Sequence, residues 1–240
     1  MRNKTPLRRG FQFPGRKFHH VPKNPVQRSV EIRVQNPHNH AMKNYSESCD
    51  QNRAPIQAVL EQVFADRAQV LEIASGTGQH AVYFGQALPH LTWQTSELPE
   101  NLASIQAWLE EAQLPNVRPP LEIDVTAPVW PLLQPVDAIF NANTVHIVSW
   151  PAVEKMFAGI GRVLASGGVL CMYGPFNYDG QFTSESNARF DVWLKNRDPD
   201  SGVRDFEAIN RLAEAQGLTL WQDIAMPANN RSLVWRKTRT

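Results

Sequence analysis

Residues 70–81, VLEIASGTGQHA, place a short strand-forming run directly before a turn of small residues and the start of a helical pattern. Gly76 and Gly78 lack a Cβ, so the backbone there can adopt positive φ and pass close to a ligand. The helix that follows offers free N–H groups in its first turn. In a parallel sheet such a turn lies at the carboxyl end of a strand, where ligands bind.

The rest of the chain alternates in the same way. An amphipathic helix is predicted over 53–65, with Asn52 as its cap and Pro55 in its first turn. Strands and helices then alternate over 70–73, 79–88, 91–95, 101–112, 121–123, 136–141, 151–164 and 169–173, and the glycines at 167–168 are expected to end the helix at 151–164. Helices over 184–195 and 205–216 precede an antiparallel pair of strands over 218–225 and 232–236. This alternation predicts an α/β fold with a mostly parallel, doubly wound, Rossmann-like sheet.

The basic residues are concentrated at the start of the chain. Residues 1–41 hold nine Lys or Arg and one acid, which leaves 15 basic and 22 acidic residues in 42–240, a net charge of −7. The first 41 residues show no sustained apolar period and are predicted to be a disordered or loosely attached extension. Three interpretations stay open: a basic arm for an acidic partner, a targeting peptide, or a non-native start upstream of Met42.

Length and composition fit one soluble domain. The chain has 240 residues, of which 42% are hydrophobic and 20% charged. No apolar run approaches the roughly 20 residues that a bilayer span needs. Cys49 and Cys171 lie far apart and outside any CxxC pattern, which argues against a disulfide framework or a metal site and fits a cytoplasmic location.

Two ligands and one purely structural alternative compete for the glycine turn. Residues 76–81 satisfy the dinucleotide pattern G-x-G-x-x-G/A, and Glu97 follows about 20 residues later, where an acid binds ribose. The structural alternative is a tight strand-to-helix turn without a ligand. Glu72, an acid inside the strand, suits the ammonium and sulfonium of S-adenosylmethionine better than a pyrophosphate. The sequence therefore favours S-adenosylmethionine over NAD.

Several motifs, taken in chain order, resemble one family. The run EIASGTG at 72–78 looks like the first motif, E/D-x-G-x-G-x-G, of class I S-adenosylmethionine-dependent methyltransferases. The chain more narrowly resembles the DUF938 family, which includes methyltransferase-like protein 26, through Tyr45-Ser46, NRxPI at 52–56, LEIASGTGQHA at 71–81, LTWQ at 91–94, Asn143 with His146, YGPF at 173–176, SNxxFD at 186–191 and MPANN at 226–230. The resemblance covers about residues 42–240 as a single domain. It implies a seven-stranded methyltransferase fold.

The resemblance also implies S-adenosylmethionine as cofactor and a site for it at the first strand. Glu72 would reach the amino acid end of the cofactor. The turn residues Ala74, Ser75, Gly76 and Gly78 would line its ribose and methionine portion. Ala74 stands where the general methyltransferase pattern has glycine, so this position is expected to hold a negative φ.

Further cofactor contacts are implied after the next three strands. Glu97 would accept hydrogen bonds from the ribose diol, although Glu100 is a second acid in the same stretch. The structural alternative is that Glu97 is a surface glutamate that opens a helix at Pro99. Asp124 would bond the adenine amino group beside the Val125 N–H, or else cap the following turn. Asn141 would touch the methionine moiety or position the substrate.

Methyl transfer needs accurate positioning, and it needs a base only when the acceptor must lose a proton. His146 is the candidate base, since it lies five residues beyond Asn141 in the loop that faces the methyl group in this fold. Asn143 would add polarity beside it, and a packing histidine is the alternative. The substrate pocket is predicted from Tyr45, Asn52, Arg53, Tyr173, Phe176, Asn177, Asn229 and Arg231, whose aromatic members could instead pack in the core.

The acceptor is expected to be a small molecule. Residues 141–144, NANT, do not match the Asn-Pro-Pro-aromatic pattern of enzymes that methylate base nitrogens, and the acidic body disfavours a nucleic acid backbone. Two other functions compete with methyl transfer. A NAD-dependent oxidoreductase would need a Tyr-x-x-x-Lys pair, which neither Tyr173 nor Tyr178 begins. A non-catalytic module that binds S-adenosylmethionine differs from an enzyme only in its acceptor pocket.

Overall fold

The computed structural model describes residues 43–238, so the predictions for residues 1–41 lie outside the described part. The helices are α1 (Glu47–Val63), α2 (Gln79–Ala87), α3 (Pro99–Ala112), α4 (Trp150–Val163), α5 (Glu185–Arg197) and α6 (Phe206–Ala215). The strands are β1 (Gln69–Ile73), β2 (Thr92–Glu97), β3 (Val117–Glu122), β4 (Val136–Ala142), β5 (Leu164–Gly174), β6 (Phe176–Asn177), β7 (Arg204–Asp205), β8 (Leu218–Met226) and β9 (Asn230–Lys237). A 3-10 turn, Pro227–Asn229, joins β8 to β9.

Seven strands form one sheet in the order β3-β2-β1-β4-β5-β9-β8. Strands β1 to β5 are parallel to one another, whereas β9 runs antiparallel to both β5 and β8. The predicted α/β fold, with its antiparallel final pair, is therefore confirmed. The strand order reverses at β1, which is the point where an open α/β sheet binds ligands.

Two apolar layers cover the faces of the sheet. Helices α4 and α6 pack on one face, with Leu71, Ile139, Phe157, Ile160, Ile209 and Leu233 among the buried residues. Helices α1 and α2 pack on the other, with Val70, Ile56, Leu60, Phe84, Phe140 and Val234. Since both faces are covered, the residues of β1 from Val70 to Ile73 are all buried, Glu72 included.

The element boundaries differ from prediction at three places. Helix α1 begins at Glu47 after Ser46, so Asn52 and Pro55 lie inside it and neither acts as predicted. Helix α4 ends at Val163, and the glycines at 167–168 belong to the irregular start of β5. Strand β3 begins at Val117, before the predicted strand at 121–123, and therefore includes two prolines. An edge strand tolerates them because one side of its backbone has no partner strand. Within residues 43–238 no helix combines the length and the apolar character needed to cross a membrane.

Candidate active site

The turn after β1 combines three residues with positive φ. Ala74 has φ of 56°, Gly76 of 57° and Gly78 of 97°. The prediction of a negative φ at Ala74 is thus wrong. The Ser75 N–H donates a 2.8 Å hydrogen bond to the Ser96 carbonyl at the end of β2, and this tertiary contact holds the turn in place. A Cβ at Gly78 would lie 3.0 Å from the backbone of Ile105, so α3 packs directly against the turn.

Glu97 ties the turn to the end of β2. One carboxylate oxygen accepts the Gly76 N–H and the other accepts the Leu98 N–H, each at 2.8 Å. The residue is 8% exposed and is therefore not the surface glutamate of the alternative interpretation. A carboxylate has about four acceptor sites, so two backbone bonds leave capacity for a diol.

Glu72 lies in the interior below the turn. Its carboxylate accepts a 3.0 Å hydrogen bond from the Trp93 indole N–H, and burial raises its pKa to about 7. The Ser96 hydroxyl donates to the Glu72 carbonyl at 2.7 Å, which fixes the strand beneath the side chain. An acid held this way can exchange its proton near neutral pH when a cation binds nearby.

Asn141 sits at the end of β4, opposite Ile73 of β1 in the strand register. Its amide nitrogen donates to the Ile73 carbonyl and to the Thr144 hydroxyl, both at 2.8 Å. Its Oδ1 is buried and has no hydrogen-bond partner among the described residues. Buried polar atoms are normally satisfied, so this oxygen marks a place where a donor from a ligand fits.

Asp124 follows β3 at the rim of the site. Its Oδ1 accepts hydrogen bonds from the Thr126 N–H at 2.8 Å and the Thr126 hydroxyl at 2.7 Å, and both bonds lower the pKa of the carboxyl. This is the geometry of the capping alternative. Neighbouring Val125 packs in part against the core. The second carboxylate oxygen of Asp124 is not engaged by Thr126.

His146 and Asn143 lie together beyond β4. His146 is 2% exposed, and its Nδ1 has no partner among the described residues. A Cβ built on Gly174, the last residue of β5, would lie 3.6 Å from His146 Nδ1 and 3.7 Å from Asn143 Oδ1. The two polar atoms therefore point at the same small space. Burial, followed by the charge of Arg204, lowers the pKa of His146 to about 4, so the ring is neutral at pH 7.

The segment before α1 is fastened to the glycine turn by Gln79. The Ser46 N–H donates to Gln79 Oε1 at 2.6 Å, and Gln79 Nε2 donates to the Ser46 carbonyl at 3.3 Å. The Thr77 hydroxyl donates to the same Oε1 at 3.0 Å. Just before Ser46, the Asn44 N–H donates to the Ser104 hydroxyl of α3 at 2.9 Å. The start of α1 is thus fixed by contacts more than 30 residues away.

The predicted pocket residues separate into groups. Asn52 Oδ1 accepts a 2.7 Å hydrogen bond from His80 Nε2, and the side chains of Asn52 and Asn230 lie beside the Tyr173 hydroxyl. These residues join α1, α2, β5 and β9 on one face of the sheet. The carboxylate of Asp50 pairs instead with Tyr45 and Arg53 on the outer side of α1.

Phe176 and Asn177 do not line an open wall. Phe176 is fully buried in the core beneath α4, as the packing alternative expects. Asn177 is 7% exposed, and its amide donates to the Val203 carbonyl at 3.4 Å. Both residues instead belong to the small parallel pair of β6 and β7.

A cavity of about 540 Å³ opens beside the last two strands. It is lined by Tyr178, Thr183, Ala225, Met226, Asn229, Asn230 and Arg231, which include two of the predicted pocket residues. Asp223 accepts a 2.7 Å bond from the Arg231 guanidinium and a 2.8 Å bond from the Tyr178 hydroxyl. The Arg231 charge is therefore balanced within the wall. The sequence does not indicate Asp223 and Tyr178 as parts of this wall. The hairpin register brings Asp223 near Arg231, and Tyr178, which follows β6, reaches Asp223 through its hydroxyl.

The strand register connects this cavity to His146. Arg231 of β9 stands directly opposite Gly174 of β5 in the antiparallel ladder. Side chains of directly opposite residues leave the same face of the sheet with their Cβ atoms about 5 Å apart. The Cβ of Arg231 therefore lies next to the space that His146 Nδ1 and Asn143 Oδ1 face.

Comparison with known proteins adds a family and a fold. Residues 43–237 match the family described as "Protein of unknown function (DUF938)". Among solved structures, the chain is similar to the S-adenosylmethionine-dependent methyltransferase SibL, with a TM-score of 0.69 and 19% identity over 80% of this chain and 56% of that chain. An O-methyltransferase family 2 protein from Planctomyces limnophilus, in complex with apigenin, gives a TM-score of 0.69 and 16% identity over 78% and 56%.

A third similar structure is PigF with SAH, with a TM-score of 0.66 and 17% identity over 77% of this chain and 55% of that chain. At these identities the likeness concerns the fold, which is that of class I methyltransferases. The chain spans little more than half the length of these three structures.

Proposed function

We propose, from the premise that this chain belongs to the DUF938 family, that it is an S-adenosylmethionine-dependent methyltransferase acting on a hydroxyl of a small molecule. One observation carries the proposal. The buried, neutral His146 directs an unpartnered Nδ1 at the same space as Asn143 Oδ1, next to the edge where Glu97 and Asn141 keep acceptor capacity. A proton acceptor is needed there for a hydroxyl acceptor and not for a pure binding module.

The residues of the turn fit the cofactor that the fold family implies. Glu97 would take the ribose diol with its remaining acceptor sites, and the free second oxygen of Asp124 would take the adenine amino group. The Asn141 Oδ1 would accept a donor from the methionine end, whose ammonium also suits Glu72. When bound, S-adenosylmethionine supplies a methyl group on a positively charged sulfur.

The chain's own residues would manage the acceptor. His146, neutral at pH 7, would take the hydroxyl proton at Nδ1 as the acceptor oxygen becomes nucleophilic. Asn143 Oδ1 lies beside the same Gly174 space and would accept a hydrogen bond from a second donor group of the acceptor molecule, because the hydroxyl has only one proton to give. Because His146 is buried and Asn143 is partly buried, they would limit the access of bulk water and hold the acceptor in one orientation, which supplies much of the rate of a displacement reaction.

The cavity beside β8 and β9 supports an uncharged acceptor. Its one guanidinium, on Arg231, is already paired with Asp223, so the wall offers hydrogen bonds and apolar contact but no net charge. One of the similar structures, the Planctomyces limnophilus protein, is a complex with a small molecule, apigenin. The net charge of −7 over residues 42–240 argues against a nucleic acid.

The test has two steps. The full chain is titrated calorimetrically with S-adenosylmethionine, S-adenosylhomocysteine and NAD, and we expect binding of the first two alone. Labelled methyl transfer to a panel of neutral phenols, apigenin included, is then compared in wild type, His146→Asn and the surface control His90→Asn. We expect loss only in His146→Asn. Binding of NAD alone would overturn the cofactor, and equal transfer in all three proteins would overturn the base.

A further inference from the structure

The loop that carries His146 is held by a second segment of the chain. Four successive carbonyls of this loop, from Val145 to Val148, each accept a hydrogen bond from residues 201–204. The donors are Arg204 Nε to Val145 at 3.0 Å, Gly202 N–H to His146 at 2.9 Å, the Ser201 hydroxyl to Ile147 at 2.6 Å, and Arg204 Nη2 to Val148 at 2.7 Å. We call residues 201–204 the brace.

Helix α5 anchors the brace. Asp191 of this helix is 5% exposed, and its Oδ1 accepts the Val203 N–H at 2.9 Å. A Cβ at Gly202 would lie 3.0 Å from the same oxygen, so the backbone of the brace passes close beneath the carboxylate. Lys195 pairs with the other oxygen at 2.7 Å. The brace is therefore held by α5 as well as by its bonds to the loop.

The same helix also contacts the histidine ring. Phe190, the residue before Asp191, packs edge to face on His146 with ring centroids 5.4 Å apart. One turn of α5 thus fixes the ring through Phe190 and fixes the loop backbone through Asp191 and the brace. With the loop carbonyls and the ring both held, the direction of Nδ1 toward the Gly174 space is determined.

We propose that Arg204 is a positioning residue. Together with Ser201 and Gly202, it holds His146 in the orientation in which Nδ1 faces the Gly174 space. The inference rests on the proposed function, in which His146 is the base. Arg204 also adds a positive charge near the ring, which with burial disfavours the protonated form. The charged groups that face this guanidinium are the carboxylates of Asp191 and Asp200, and both favour its charged form.

The test follows the ring of His146 by NMR in the full chain, with its resonance assigned from its absence in His146→Asn. Arg204→Met removes the charge and the hydrogen bonds to the carbonyls of Val145, Val148 and Asp200, whereas Arg204→Lys keeps the charge and cannot span the same carbonyls. Ser201→Ala removes one contact and is the milder variant if either arginine variant fails to fold. Arg189→Met, an exposed position on α5, is the matched control.

We expect the pKa of His146 to rise in Arg204→Met by about one unit, because a nearby cation has been removed. The rise should be smaller in Arg204→Lys and absent in Arg189→Met. In Ser201→Ala, hydrogen exchange of the Gly202 amide should quicken by about tenfold, as expected for loss of one hydrogen bond. Methyl transfer should fall in all three brace variants while the affinity for S-adenosylmethionine is kept.

The inference is overturned if His146 titrates at the wild-type pH in Arg204→Met and the Gly202 amide is unchanged in Ser201→Ala. The ring titration does not depend on cofactor or acceptor. A wild-type protein that fails to bind S-adenosylmethionine would therefore refute the proposed function separately, while the titration still reports whether the brace acts on His146.

Discussion

The Gly76 N–H donates a 2.8 Å hydrogen bond to the Glu97 carboxylate, which joins the turn after β1 to the end of β2. Two strands of the sheet therefore share one anchor at the point where strand order reverses. The same carboxylate is the proposed ribose contact, so the shape of the turn and the binding of the cofactor depend on a single side chain.

Substitution of Glu97 should therefore affect both stability and binding. In Glu97→Ala the N–H groups of Gly76 and Leu98 lose their acceptor, at a cost of about 1–3 kcal/mol each if they stay buried without a partner. We expect the affinity for S-adenosylmethionine to fall by more than about tenfold, which is the usual scale for a lost charged hydrogen bond. Calorimetry measures the affinity and urea unfolding the stability. Unchanged affinity would remove Glu97 from the cofactor site. The control is Glu100→Ala, at an exposed position of α3.

Gly174 offers a test of the acceptor space that spares the fold. A methyl group there would lie 3.6 Å from His146 Nδ1, an ordinary contact distance, so Gly174→Ala should fold normally. Because the methyl occupies the space between His146 and Asn143, we expect methyl transfer to fall while the affinity for S-adenosylmethionine changes little. Gly217→Ala, remote from the site and at φ of 73°, is the control: it should lose stability and keep activity. Full activity in Gly174→Ala would place the acceptor elsewhere.

Three buried groups make the stability of the fold depend on pH. His80 and His146 act in one direction, and Glu72 acts in the other. Burial is the main cause of a pKa near 4 for His80 and His146, below their ordinary 6.5. The unfolded chain takes up these protons first, so their contribution to stability is complete above pH 6.5 and is lost as pH falls toward 4. Glu72 acts oppositely: burial raises its pKa from 4.5 to about 7, and the folded state gains stability as pH falls from 7 to 4.5.

We expect Glu72→Gln to make the protein more sensitive to acid, because the opposing contribution is removed. Between pH 6.5 and 4.5 the loss of unfolding free energy should increase by about 2 kcal/mol relative to wild type, at 1.36 kcal/mol for each pKa unit. His146→Asn should reduce the loss by a similar amount. Urea unfolding at both pH values measures the difference, and the same loss in all three proteins would contradict this assignment of buried charges.

Gln79 should control the attachment of α1. In Gln79→Ala the Ser46 N–H loses its acceptor and the Ser46 carbonyl keeps only the Cys49 N–H, so we expect faster hydrogen exchange at the start of α1. Exchange at the Asn44 amide should respond instead to Ser104→Ala, which removes a different contact of the same segment. Mass spectrometry of exchanged peptides separates the two effects. Equal protection of Ser46 in wild type and Gln79→Ala would show that α1 is held by its apolar face alone.

The alternation of strands and helices could be predicted from the sequence because its signals are local. The turn at 74–78 and the acid at Glu97 could be placed for the same reason, since each follows a strand directly. The φ of Ala74 could not, because it depends on the hydrogen bond between Ser75 and Ser96, about 20 residues apart. The start of α1 depends similarly on Gln79.

The contacts that surround His146 could not be predicted from the sequence. Arg204 reaches Val145 across 59 residues and bonds to carbonyls, which leave no mark on the residue types of the loop. The wall at Arg231 likewise depends on the register of β8 and β9, which brings Asp223 near it. The sequence pattern located the loop and the hairpin, whereas their contacts arise only in the folded chain.

The position of β9 has a consequence for folding during synthesis. This strand comes last among the described elements, yet it lies between β5 and β8 in the interior of the sheet. On the ribosome the edge of β5 must therefore wait for residues 230–237, which at about 5–20 residues per second is a delay of several seconds. During that delay an apolar edge is open to other chains. Because Arg231 joins Gly174 only when β9 inserts, the proposed acceptor site also forms only after this last strand has been made.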